Sequence, residues 1–327
     1  MRYELEWGSG HIRATRDLTS TIRQFEIVPD SGTRPYSAGS HINVAVLVAD
    51  QQDFRSYSLV GEHPVDGAYR IAIRVQPDGR GGSRYMSTLQ PGARISLTQP
   101  QNFLELSIGS PHYLLVAGGI GITPMVGMAQ RLAGSGASLR MLYAVHTREE
   151  LAFADELQQQ LGNRIQIAIA SEGTRLDLAA EFQALPPDSE VYLCGPLRML
   201  DAACHIWHQL GRPASALRFE TFGSSGRFAR QPFEVEVRDL NRRVQVAENQ
   251  SMLEALRDAG VAVISDCMRG ECGLCIVDVL EVDGELDHRD VFLSEEQRAE
   301  QKQMCACVSR VAGSRVVIDT GYRPASR

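Results

Sequence analysis

Three cysteines crowd into nine residues, Cys267-Met268-Arg269-Gly270-Glu271-Cys272-Gly273-Leu274-Cys275. A chain that brings three thiolates to one point has to wrap around whatever those sulfurs hold, so no regular helix or strand fits there. The spacing, four residues and then two, is that of a plant-type [2Fe-2S] loop, which takes its last thiolate from a distant cysteine. Gly270 and Gly273 let main-chain amides turn inward, where hydrogen bonds to sulfur tune such a centre. Structural zinc is the alternative. Zinc sites usually pair two short knuckles, however, and here three ligands sit together with one far off. Met304-Cys305-Ala306-Cys307 offers two closing residues on one face of an expected strand, and counting alone leaves the choice open.

The seven cysteines are odd in number and mostly clustered. That argues for metal ligation in a reducing, cytoplasmic setting and against a secreted disulfide framework. The N-terminus carries charges where an export signal needs an apolar run. The most apolar stretch, 113–129, contains four glycines, a threonine and a proline. It reads as strand, loop and helix rather than a membrane span. The net charge of −7 comes with no basic patch, which excludes nucleic acid as a partner. Nine acids fall within 278–300, either as a solvated face or as a docking face for a basic redox partner.

A length of 327 residues asks for two or three domains. The first hundred residues alternate apolar and polar positions between turns, as an antiparallel barrel does. From about residue 111 the runs become continuous and alternate with helical stretches, which makes a parallel α/β sheet. Residues after Gly223 are small and polar and end in Pro232, a linker composition. Beyond it, short strands and one helix surround the cysteine loop as a small mixed fold. The expected divisions are 1–106, 107–223, a linker at 224–232, and 233–327.

Arg55-Ser56-Tyr57-Ser58-Leu59 ends a barrel strand. An arginine there can neutralise a phosphate, Tyr57 shares its side of the strand, and Ser58 can bond a polar ring edge. Arg80-Gly81-Gly82-Ser83-Arg84 precedes a helical stretch, a second anion-competent site. Gly118-Gly119-Ile120-Gly121-Ile122-Thr123-Pro124 follows a buried strand and opens a helix. It departs from the G-x-G-x-x-G pattern, but glycines there let a dinucleotide approach the backbone, and Pro124 suits a first helical turn. Cys194-Gly195-Pro196 ends another strand, so both loops belong on one rim. Thr123 can hydrogen-bond near a nicotinamide. Arg148 follows a strand where a 2′-phosphate could sit. Cys204 reads as a plain core residue.

Taken in order, these motifs, with Phe219-Glu220-Thr221-Phe222-Gly223, the Gly284 to Asp290 run and Cys307-Val308-Ser309-Arg310, resemble the phthalate dioxygenase reductase family. That family, a branch of the ferredoxin–NADP⁺ reductase superfamily, includes the reductases of vanillate demethylase and carnitine monooxygenase. The resemblance implies an FMN-binding barrel, an NADH-binding α/β domain and a C-terminal β-grasp [2Fe-2S] ferredoxin domain. Arg55, Tyr57, Ser58, Ile73, Arg74, Gly81, Gly82 and Ser83 would hold FMN, with Phe222 against it. Gly118, Gly119, Gly121, Thr123, Pro124, Cys194, Gly195 and Pro196 would hold NADH. Thr123 and Glu220 would position the reacting rings. Cys267, Cys272, Cys275 and Cys307 would bind the cluster, because the family closes it from Cys-x-Ser-Arg. Cys305 stands where the family has an aliphatic residue or methionine. The Asp287-His288-Arg289-Asp290 sequence reads as a hydrogen-bonded turn. The implied role is a monomeric NADH-dependent reductase that passes electrons through FMN and the cluster to a Rieske-type oxygenase. The rivals are an FAD-containing electron-transfer subunit of another dehydrogenase and a flavin and cluster redox sensor.

Overall fold

Alternating side chains become seven strands in the first hundred residues: β1 (Trp7–Asp17), β2 (Ile22–Pro29), β3 (Ser40–Val48), β4 (Gln51–Ser58), β5 (Tyr69–Arg74), β6 (Arg94–Thr98) and β7 (Gln101–Asn102). The computed structural model describes residues 6–48, 51–77, 79, 81–222, 228, 230–248 and 250–321. The chain divides into two compact units, Met1–Glu220 and Thr221–Arg327.

In the first unit the barrel strands run in the order β4-β3-β6-β1-β2-β5, with β7 on β3. A bridge from Leu59 to Ile71 joins the end of β4 to β5. Alternate residues point inward, so Phe25, Ile27, Ile42, Val44, Ile71 and Ile73 share one core. Each fully buried apolar side chain of this size stabilises by roughly 1.5–3 kcal/mol. Helix α1 (Gly82–Thr88) bridges β5 to β6 and buries Met86 in that core.

The α/β half of the unit runs β8 (His112–Gly118), α2 (Ile122–Ala133), β9 (Ser138–Val145), α3 (Ala154–Leu161), β10 (Ile165–Ile169), α4 (Leu178–Gln183), β11 (Ser189–Gly195), α5 (Leu197–Gln209) and β12 (Leu217–Thr221). Strand order is β10-β9-β8-β11-β12. β8 lies parallel to β9 on one side and to β11 on the other, with Val116 opposite Leu142 and Leu193. Both faces of a central parallel strand are covered, which is why β8 is continuously apolar. The chain winds outward from β8 through β9 to β10 and then returns to β11. Ligands of such sheets lie beyond the strand ends at that reversal, and both loops picked out from sequence leave the sheet there.

The second unit contains β13 (Phe233–Val237), β14 (Arg242–Val246), α6 (Met252–Asp258), β15 (Ile276–Asp287), α7 (Glu295–Ala299), β16 (Gln303–Cys305) and β17 (Arg310–Asp319). The sheet order is β14-β13-β17-β15-β16, with β13 and β17 parallel. Ser251 and Glu254 close a reciprocal cap at the start of α6, whose Met252, Leu253 and Leu256 enter the core.

Three expectations need revision. The strand through Met304 stops at Cys305, and 306–308 form a turn. The amides of Val308 and Ser309 close it on the Cys305 carbonyl at 3.2 and 2.9 Å, so Cys305 and Cys307 do not share a strand face. The acid run is not one surface either, because Asp287 and Asp290 are buried and Glu281 pairs with Arg238. Cys204 is half-buried on α5 rather than a core residue. Arg80, Gly223 and most of the expected linker (224–227 and 229) lie outside the described residues. Among the described residues, no helix is long and apolar enough to cross a membrane.

Candidate functional site

On the barrel, the pieces picked out as flavin contacts converge. Arg55 lies directly over α1: a Cβ on Gly82 would stand 2.8 Å from the Arg55 Cγ and Nε atoms. The missing side chain at Gly82 is therefore what admits the arginine. Its guanidinium is held by Asp53 and donates to the Phe54 carbonyl at 2.7 Å. Gly81 has a φ of 93° and starts the helix, and Ser83 Oγ accepts the Gln76 N–H at 3.1 Å. Tyr57 packs against the barrel core, where burial pushes its hydroxyl pKa up. Ser58 Oγ is buried with no hydrogen-bond partner among the described residues. A guanidinium against a glycine turn fits a phosphate, and the unpartnered buried hydroxyl of Ser58, three residues further along β4, fits a polar partner.

Ile73 places its side chain in the barrel core, leaving only its main chain for a ligand. Arg74, next to it, pairs with Glu150 from the α/β half. It also lies 3.6 Å from where a Cβ on Gly119 would stand. Glu150 in turn accepts the His146 N–H at 3.1 Å. This carboxylate was missed in the sequence, where nothing in its spacing marks it.

At the sheet reversal, Gly119–Gly121 form a single 3-10 turn between β8 and α2. A Cβ on Gly121 would lie 2.2 Å from the Cys194 carbonyl oxygen and 3.0 Å from the Gly195 nitrogen. The two loops therefore pack backbone on backbone, and Cys194 is fully buried behind them. Thr123 is buried, and its hydroxyl donates to the Ile120 carbonyl at 3.0 Å. It thus fixes the turn and keeps its lone pairs for a ligand donor. Pro124 falls in the first turn of α2. Gly118 ends β8, and Pro196 precedes α5, where it caps the start. Glu220 is buried near the end of β12, at 2% exposure. Phe222 lies just beyond that strand and is half-buried.

In the second unit the sulfurs gather in two groups, Cys267 with Cys272, and Cys275 with both Cys305 and Cys307. Cys267 and Cys272 hydrogen-bond through their thiols, and Cys275 Sγ lies 3.1 Å from Cys307 Sγ. Among the described residues no trio of His, Cys, Asp or Glu forms a single-ion site, whereas a [2Fe-2S] cluster takes two thiolates on each iron. The main-chain amides of Arg269 and Glu271 both donate to Cys267 Sγ at 3.4 Å. Hydrogen bonds from the Cys305 and Cys307 thiols hold the Cys275 thiol down, to about 3. The same bonds, with burial, push Cys305 and Cys307 up. Burial raises Cys267. Cys307 also accepts an amide hydrogen bond from Gly270, so it faces the loop. Cys305 is 0% exposed and belongs, with Cys275 and Cys307, to the apolar core that contains Met304 and Ala306.

Behind the loop lies the buried turn read from Asp287 to Asp290. Arg289 Nε donates to Asp287 Oδ2 at 2.7 Å, and Ser309 Oγ donates to Asp290 Oδ1 at 2.9 Å. Val291 N–H reaches the Gly270 carbonyl at 3.0 Å. A Cβ on Gly270 would stand 2.8 Å from the Asp290 Cα. Asp290 therefore backs the cysteine loop and ties it to the residues after Cys307.

Comparison with known proteins places the same parts in the same order. Residues 11–105 match the family described as an oxidoreductase FAD-binding domain, 115–205 an oxidoreductase NAD-binding domain, and 235–312 a 2Fe-2S iron-sulfur cluster binding domain. The chain is 36% identical to the heme-dependent oxidative N-demethylase beta subunit of Ectopseudomonas mendocina (strain ymp), covering 94% of this chain and 97% of that one. It is 32% identical to the carnitine monooxygenase reductase subunit of Acinetobacter pittii (strain PHEA-2), over 92% and 99%. The solved structure of a phthalate dioxygenase reductase aligns with a TM-score of 0.75 at 30% identity, over 96% of this chain and 98% of that one.

Proposed function

The chain belongs to the phthalate dioxygenase reductase family, and from that membership we propose that it is the NADH-dependent reductase component of a two-component Rieske-type oxygenase. It is an oxidoreductase with flavin-binding, NAD-binding and [2Fe-2S] domains. The observation that carries the fuller reading is the pairing of Cys267 with Cys272 and of Cys275 with Cys307 in a chain that also has a phosphate-competent barrel and a glycine loop at a sheet reversal. Two-electron and one-electron sites in one chain suit a reductase that feeds an oxygenase stepwise.

When bound, the flavin takes a hydride from the nicotinamide and the cluster carries electrons one at a time. The chain's own residues bind and orient. Arg55 and the Gly81–Ser83 turn would hold the flavin phosphate, with Tyr57 and Ser58 along the ring and ribityl chain. An arginine against a glycine turn suits the terminal phosphate of FMN. Gly118, Gly119, Gly121, Pro124, Cys194, Gly195 and Pro196 shape the dinucleotide rim. Thr123 and Glu220, both buried, would position the rings, and hydride transfer asks no proton of them. The N–H groups of Arg269 and Glu271 stabilise the Cys267 thiolate.

The purified protein should release FMN, contain iron and acid-labile sulfide, and reduce cytochrome c with NADH. Absent iron and sulfide, or no cytochrome c reduction, would sink the reading; released FAD would overturn the FMN assignment alone. The relatives serve an N-demethylase named as heme-dependent and a carnitine monooxygenase. Reconstitution with a Rieske enzyme and with a haem enzyme therefore decides the partner's metal.

A further inference from the structure

The cluster reading takes its thiolates from Cys267, Cys272, Cys275 and Cys307 and leaves Cys305 unused; any role for that sulfur rests on the same reading. Main chain holds Cys305 against the ligand set. β16 runs antiparallel to β15, with Cys305 opposite Ile276. One residue further on, the Ala306 N–H donates to the Cys275 carbonyl at 3.0 Å. The chain then reverses, and the amides of Val308 and Ser309 close on the Cys305 carbonyl. Cys305 is thus tied on its strand side to the neighbour of Cys275 and on its turn side to the residues after Cys307.

The two sulfurs on this reversal meet different neighbours beyond Cys275. Cys307 Sγ lies 3.1 Å from Cys275 Sγ, takes the Gly270 amide hydrogen bond and is close enough to feel the charge of Cys267. It therefore faces the other ligands. The Cys305 thiol also reaches Cys275, but it feels the carboxylate of Asp290 in the buried turn. It lies in the apolar core with 0% of its surface exposed. A thiol in apolar surroundings stays protonated, and the Cys275 sulfur accepts its hydrogen.

We propose that Cys305 is a hydrogen-bond donor to a cluster ligand: its S–H rests on the Cys275 sulfur and makes the bound [2Fe-2S] centre easier to reduce. The sign follows from charge. Reduction adds one negative charge, part of it on the ligand sulfurs, and a donor aimed at such a sulfur stabilises the more negative form. The electron arrives without making or breaking a bond to Cys305, and the thiol keeps its proton. A thiol is a weak donor, so the effect is smaller than that of a main-chain N–H. Cys305 is accordingly a positioning residue that acts through Cys275.

The test uses the full-length, cluster-loaded protein. The midpoint potential of its [2Fe-2S] centre is read by mediated reductive titration with electron paramagnetic resonance, and the flavin potential in the same sample is the internal reference. Cys305→Ala and Cys305→Val both remove the donor, one leaving too little volume and the other too much. Both should move the one-electron equilibrium about threefold to tenfold against the centre, at most about 59 mV more negative. The flavin potential and the iron and sulfide content should not change. Cys305→Ser restores a donor and should bring the potential most of the way back. Potentials in the alanine and valine variants equal to that of the unsubstituted protein, or a serine variant shifted as far as they are, overturn the proposal and leave Cys305 a packing residue. Loss of iron and sulfide from both the alanine and valine variants would make Cys305 a ligand and overturn it as well. If the unsubstituted protein holds no iron and sulfide, the cluster reading itself falls and takes this one with it.

Discussion

Cys305 and Cys307 stand two residues apart on either side of a chain reversal. Cys307 takes an amide hydrogen bond from Gly270 of the cysteine loop, a contact that Cys305 lacks among the described residues, although both thiols reach Cys275 and both belong to the buried core. Strand alternation read from sequence would treat them alike, since that argument holds only while the chain stays extended, and it reverses at Ala306. The Cys-Val-Ser-Arg order spans that turn, and the choice of Cys307 rests on the family resemblance it carries. Cys307→Ser should abolish the cluster's share of the visible absorption and the iron and sulfide content of the purified protein, leaving the flavin spectrum; Cys305→Ser should retain all of them. The opposite pattern would exchange their roles. Glu150 and Glu172 show the other limit of sequence reading. Each pairs with a partner from a different strand end, Arg74 and Arg148, and no local spacing records such a meeting.

The turn from Asp287 to Asp290 is the element on which the cysteine loop rests. Its residues were legible as a motif, but its burial was not, because a run of acids reads as surface until the fold encloses two of them. Burial works against ionisation of Asp290. The neighbouring His288 imidazole, 3.6 Å away, the hydrogen bonds from the Leu293 N–H and Ser309, and the charge of Arg298 outweigh it and hold the carboxyl below its usual range. A carboxyl whose folded pKa is depressed contributes stability above its unfolded value of about 3.9, and that contribution is lost as pH falls through the folded value. Asp290→Asn should therefore lower the stability of the second unit at neutral pH by about 1–3 kcal/mol and flatten its loss toward acid. Urea unfolding followed between about pH 7 and pH 3 checks this, and parallel curves for the two proteins would count against it.

At the scale of the whole molecule, the fold class was readable because each part carries its own periodicity: alternation in the barrel, continuous apolar strands with helices in the middle, and a thiolate loop at the end. Strand order was not readable, since pairing of β8 with both β9 and β11 depends on how the chain winds. The division at Glu220 and Thr221 gives the two units separate cores. Cluster ligation is bound up with folding of the second unit alone. Removing iron with a chelator under reducing conditions should lower the unfolding temperature of that unit and leave the transition of the first in place. Calorimetry in which both transitions moved equally would contradict separate cores.

The contact between Gly121 and the Cys194 carbonyl also bears on how such a protein can change over generations. Any side chain at Gly121 meets main chain, so the two loops proposed to seat the coenzyme can drift only if strands β8 and β11 drift with them. Positions 148 and 172, an exposed ion pair after β9 and β10, carry side chains that can be exchanged singly. The backbone contact between the two loops is therefore far less free to vary than the exposed side chains at their edge.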